Sequence, residues 1–139
     1  MRQIVLALVL ALMTGHGAAQ AGVSVDVSIS TQTMEVYVNG RLRHVWRISS
    51  GRRGYRTPHG VYRPKRLVRM HYSRKYHFSP MPCSIFFRGG YAIHGTKAVR
   101  RLGRPASHGC LRLRTRNACR LYNLVRRFGP RRTRIAIGY

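Results

Sequence analysis

The stretch VSVDVSISTQTMEVYVNGRLRHVWRIS, residues 23–49, decides the fold class. Val23, Val25, Val27 and Ile29 alternate with Ser24, Asp26 and Ser28. That period of two puts apolar side chains on one face of a strand and polar ones on the other. Met34 to Val38 reads as a second strand ending at Asn39-Gly40, a pair suited to a tight hairpin turn. The chain resumes as a strand from Leu42 to Ser49, with Leu42, Val45, Trp46 and Ile48 as its apolar content.

Further along, Gly51-Arg52-Arg53-Gly54 and Thr57-Pro58-His59-Gly60 read as loop and turn. Val61 to Met70 is predicted as a strand bent at Pro64, and His71 to Pro82 as a long irregular loop. Ser84 to Phe87 and Tyr91 to Ile93 flank Gly89-Gly90 as a core hairpin, and Thr96 to Pro105 reads as basic loop or a short helical turn. From Thr115 the period changes: Ala118, Leu121, Tyr122, Val125 and Phe128 recur at steps of three and four. This predicts one amphipathic helix, capped by Thr115 and stopped at Gly129-Pro130. Ile135 and Ile137 mark a last strand. Many short strands and one late helix predict a mainly β single domain with a sandwich or barrel-like core.

Ahead of the strands, Met1-Arg2 gives a short positive start, Ile4 to Met13 is unbroken apolar, and small residues lead to Ala19-Gln20-Ala21. That is the layout of a secretory leader at 1–21, leaving residues 22–139 as the exported domain. The apolar run is short for a bilayer span, and no second one approaches membrane length. The expected location is the periplasm or the cell wall.

The charge is lopsided: 27 Lys and Arg against two acids, Asp26 and Glu35. Without the leader the net charge is +24, and nothing from Val36 to Tyr139 is acidic. Such a surface favours polyanions, whether wall polymers, anionic membranes or nucleic acid. The shortage of carboxylates argues against paired-carboxylate glycoside hydrolysis, Mg²⁺ or Ca²⁺ sites and a Ser-His-Asp triad. Three cysteines remain: Cys83, Cys110 and Cys119. An odd count in an exported chain suggests one free, reactive thiol, or three thiols none of which is paired.

The chemistry concentrates at Ile93-His94-Gly95-Thr96, Leu102-Gly103, and Ser107-His108-Gly109-Cys110-Leu111-Arg112. A thiol attacks as thiolate, which nearby imidazole and positive charge favour, and Cys110 has both close by in sequence. Gly109 allows a tight bend in which successive amides converge on an oxyanion. His94, His108 and Cys110 are also a conceivable zinc set, but they lack paired ligand spacing, so no metal and no cofactor are expected.

These blocks resemble the signature of YkuD-type L,D-transpeptidases, and the resemblance extends over Val23 to Ile137, including Thr57-Pro58-x-Gly60. It implies Cys110 as nucleophile, His94 as its base, the Gly95 carbonyl as third member, and His108 as an organiser of the site. Gly109 and Cys110 would supply oxyanion amides, with Ser107, Arg112 and Tyr91 as substrate-binding residues. Many relatives carry Asp where this chain has Asn117. We expect Cys83 and Cys119 to be buried free thiols rather than a disulfide. The implied reaction is acyl transfer from a peptidoglycan tetrapeptide stem to an amine. Two rivals remain: a cationic coat protein for wall polymer or nucleic acid with an inactive site, and a thiol carboxypeptidase or amidase. No recognisable nucleic-acid fold supports a specific nucleic-acid partner.

Overall fold

The computed structural model describes residues 21–139; the expected leader lies almost entirely outside the described residues. Among the described residues nine strands build two sheets, accompanied by one α-helix. The first contains β1 (Val23–Ser28), β2 (Thr33–Val38), β3 (Arg41–Arg47), β4 (Gly60–Tyr62) and β9 (Thr133–Gly138), in the order β3-β2-β1-β9-β4. The second contains β5 (Arg66–Ser73), β6 (Ser79–Arg88), β7 (Tyr91–Thr96) and β8 (Leu111–Arg114), in that order. α1 (Thr115–Phe128) packs mainly on β6, β7 and β8.

The alternation read in residues 23–38 is the one the sheet uses. Val23, Val25, Val27, Met34 and Val36 point into the core, while Asp26 and Glu35 are cross-strand partners on the outer face. β1 runs antiparallel to β2 and parallel to β9, with Val25 opposite Ile135. From the second sheet Ile85, Phe87, Ile93, Leu111 and Leu113 enter the same core, closed by Leu121 and Val125 of α1. Each large aliphatic or aromatic side chain buried this way contributes about 1.5–3 kcal/mol.

Four expectations are corrected. The strand predicted over Val61 to Met70 is two strands in different sheets, because the chain crosses over at Pro64. The predicted loop 71–82 is largely a hairpin, with His71 opposite Met81 and Ser73 opposite Ser79. Pro80 and Pro82 stand opposite Tyr72 and Met70 in this hairpin, and β7 pairs with β6 only from Ile85 on. Thr115 does not cap α1, because β8 runs straight into the helix; the cap position is Arg114, with no side-chain hydrogen bond.

The fourth correction concerns the thiols. Cys83 and Cys119 form a disulfide, with Cα atoms 5.1 Å apart, and Cys110 is the free cysteine among the described residues. Cys83 has φ +52° in the middle of β6, and the packing of α1 on β6 brings in Cys119 from 36 residues away.

Candidate active site

β7 and β8 run parallel, with His94 opposite Arg112. Strand alternation then puts Ile93, Leu111 and Leu113 in the core, and turns His94, Arg112 and the preceding Cys110 to the other face. There they line a cleft of about 1050 Å³, together with Tyr91, Gly95 and His108.

His94 is buried, and its Nδ1 lies 2.8 Å from the Gly95 carbonyl oxygen. A carbonyl only accepts, so Nδ1 carries the proton and Nε2 keeps a lone pair. Burial pulls the His94 pKa down to about 4; the Gly95 bond opposes this, while Arg112 and His71 add to it. The imidazole is therefore neutral at neutral pH. Cys110 is partly exposed, and its thiol faces the Gly90 carbonyl at 3.7 Å. Burial pushes this thiol up, against the pull of a backbone hydrogen bond at Ala92 and the Arg112 charge. Both shifts favour the uncharged forms, thiol and imidazole.

Two glycines make the geometry possible. A β-carbon on Gly95 would come within 2.7 Å of the Thr115 Cα and 2.8 Å of its hydroxyl, at the start of α1. Gly109, at φ +121°, lies so close under the Tyr91 ring that a β-carbon there would meet it at 2.5 Å.

Ser107 departs from expectation. It is fully buried and does not line the cleft. Its hydroxyl accepts from the Gly109 N–H at 3.0 Å and donates to the Cys110 carbonyl at 2.6 Å. It holds the loop rather than the substrate, and it engages the Gly109 amide that was expected to face an oxyanion. His108 lines the mouth of the cleft, stacked on Tyr76 at 4.0 Å and edge-on to Tyr55 at 4.8 Å. Its Nε2 lies 3.2 Å from an Arg52 guanidinium nitrogen, and slight burial with Arg52, Arg112 and Lys75 lowers its pKa.

A model of the YkuD L,D-transpeptidase catalytic domain matches residues 22–137. The chain belongs to the YkuD L,D-transpeptidase family. No curated protein matches the sequence closely enough to count. Among solved structures, an L,D-transpeptidase from Mycobacterium smegmatis superposes on this YkuD domain with TM-score 0.77 at 20% identity, covering 86% of this chain and 59% of that one. L,D-transpeptidase 3 from Mycobacterium tuberculosis, in complex with a faropenem-derived adduct, gives 0.75 at 22%, covering 85% and 60%. Residues 123–326 of the L,D-transpeptidase from Xylanimonas cellulosilytica give 0.72 at 25%, covering 86% and 61%. The chain thus spans about 60% of the length of the structures it matches.

Sequence reasoning missed the scaffold behind the YkuD motif loop. Gln32, buried at φ +52° in the β1–β2 turn, donates from Nε2 to the Ile29 carbonyl at 2.8 Å and contacts the Ser50 hydroxyl at 2.7 Å. Its Oε1 accepts the Ser50 N–H at 3.0 Å. The Ser50 carbonyl in turn accepts the N–H groups of Ala106 and Ser107 at 2.9 and 3.0 Å. Thr57, noted only as part of the Thr-Pro-x-Gly run, accepts from Gly51 N–H at 2.9 Å and donates to the Gly109 carbonyl at 2.8 Å. Nothing in the sequence marks Gln32 as buried, because it sits among polar turn residues. His71, read as one edge of a loop, also lines the cleft and packs edge-on against Phe86 at 5.1 Å.

Proposed function

We propose that this domain is a cysteine L,D-transpeptidase acting on peptidoglycan tetrapeptide stems, with Cys110 as nucleophile and His94 as base. The observation that carries the reading is one cleft holding the free thiol and a neutral imidazole whose tautomer the Gly95 carbonyl sets. A base that arrives unprotonated takes the Cys110 proton as sulfur attacks the carbonyl of the stem's diacid residue. The new C–S bond gives a tetrahedral intermediate. Its collapse breaks the peptide bond to the terminal D-alanine, which leaves with the proton returned by His94. An amine of a second stem then attacks the thioester, gives up a proton through His94, and restores the thiol. Water in place of the amine would make the same domain a carboxypeptidase.

Residues 1–21 as a cleaved leader, residues 22–139 as the catalytic domain, and residence in the periplasm or wall all belong to this reading. They rest on the apolar run from Ile4 to Met13 and the small residues that follow it. Among the described residues no helix is long and apolar enough to cross a membrane. Anionic wall polymers are proposed as a second partner on the strength of the +24 charge. The coat-protein alternative has the charge alone behind it.

The test is incubation of residues 22–139 with tetrapeptide muropeptides and mass analysis of the products. Cross-linked dimers with loss of D-alanine are expected, with no product from Cys110→Ala and a carbapenem adduct on Cys110 alone. Turnover by Cys110→Ala, or an acyl group trapped on another residue, would refute the assignment. An unreactive but folded protein would favour the coat-protein alternative.

A further inference from the structure

The cations of the cleft are distributed in a way the proposed chemistry does not require. Among the charged side chains lining it there are five cations, Arg66, Arg74, Lys75, Lys97 and Arg112, and no carboxylate. The two acids lie elsewhere, on the outer face of the first sheet, where Asp26 pairs with Arg134 at 3.5 Å and Glu35 accepts from the Tyr37 hydroxyl. Arg112, next to Cys110 on the cleft face, is half-buried with Arg52 and Arg101 close enough to oppose its charge. No carboxylate pairs with it among the described residues. A guanidinium held like this lacks the partner that would offset its desolvation, and an arriving carboxylate supplies one.

The other cations stand farther out. Arg74 and Lys75 are in the turn of the β5–β6 hairpin, whose Tyr76 reaches across to stack on His108. Lys97 lies just past the end of β7, and Arg66 sits over the Phe86 ring at 4.4 Å. The lining between them is largely apolar or aromatic, including Met70, Tyr72, Met81 and Phe86. Amide carbonyls and aliphatic stems suit that floor; repeated negative charge suits the rim.

From this arrangement we infer that the cleft selects stems whose side carboxylates are free over stems whose carboxylates are capped as carboxamides, and that Arg74, Lys75 and Lys97 set the preference. The inference rests on the transpeptidase reading and adds the charge state of the substrate. Capping a carboxylate leaves size and shape nearly unchanged and removes the charge. Each exposed ion pair contributes modestly, so three together account for about a tenfold difference.

Two synthetic tetrapeptide stems of one sequence serve as probes. One carries free carboxylates on its second and third residues, and the other carries carboxamides there. The kcat/KM for the free-acid stem is expected to exceed that for the amidated stem about tenfold, and the ratio to shrink with added salt. The variant R74Q/K75Q/K97Q should bring the ratio towards one by slowing the free-acid stem alone. R120Q/R126Q/R127Q removes as many charges from exposed positions of α1 that do not line the cleft, and should leave the ratio as it was. Equal turnover of both stems, or faster turnover of the amidated one, would overturn the charge selection and keep the transpeptidase. An equal loss in the α1 variant would overturn the rim assignment in favour of bulk charge. Turnover of neither stem by folded wild-type protein would overturn both readings.

Discussion

Neutral His94 and a thiol pushed above its ordinary range set the pH behaviour of the site. The His94 pKa is lowered to about 4, so the base stays competent as pH falls from neutral and is lost only as pH passes through that value. The acid limb of kcat/KM should therefore fall near pH 4 to 5 rather than near the usual histidine value. Alkylation of Cys110 by iodoacetamide should stay slow at neutral pH and rise only in alkali. His94→Ala should cost about 10²–10⁴ in rate. An acid limb near 6.5, or rapid alkylation at pH 6, would mean an ion pair in the resting site. The same shift destabilises the fold in acid: between the unfolded pKa and about 4, the unfolded chain takes up a proton that buried His94 refuses. Gln32 belongs at this scale too. Gln32→Ala leaves the Ser50 N–H without its acceptor, at about 1–3 kcal/mol. Because Ser50 carries Ser107, and Ser107 carries Cys110, kcat should drop about tenfold with KM little changed. A lower melting temperature with unchanged kcat would reduce Gln32 to a stability residue.

Elements were legible where a period ran unbroken. The strands over 23–38 and the helix over 115–128 follow from spacing, since each faces the core along one side only. The β5–β6 hairpin was illegible for a physical reason. Its apolar and polar residues do not alternate cleanly, because parts of both of its faces are exposed or line the cleft. The motif at 107–112 was legible as chemistry, but not the burial of Ser107, since a serine in a polar run shows no sign of which way it turns. The disulfide was misjudged because its partners meet only through packing of α1 on β6. That cross-link closes a 36-residue separation, for which chain entropy gives about 3–4 kcal/mol. The Cys83→Ser/Cys119→Ser variant should melt roughly 10 °C or more below wild type and keep most turnover at 25 °C. Loss of turnover in a protein still folded at that temperature would show that the bridge also shapes the cleft.

At the scale of the whole molecule, charge is the feature that sequence measured correctly and could not explain. Two acids offer almost no ion pairing, and the described residues contain a single salt bridge, Asp26–Arg134. If +24 holds the domain on an anionic wall, binding to whole sacculi should fall steeply with salt, because exposed charges are screened beyond about 8 Å at physiological strength. Turnover of the amidated stem, whose side carboxylates are uncharged, should change far less across the same series. Sacculus binding that ignores salt would remove the tethering role.

The parallel pairing of β1 with β9 has a consequence for the order of events in biosynthesis. The first strand described sits in the middle of its sheet, and its neighbour on one side is the last strand, residues 133–138. Until those residues have emerged, β1 has only β2 beside it, and β4 has no neighbour at all. The first sheet therefore stays open along β1 through most of the domain's synthesis, and it closes only once residues 133–138 are present. A polypeptide kept from premature closure in this way stays extended and accessible to whatever handles the nascent chain until residues 133–138 are made.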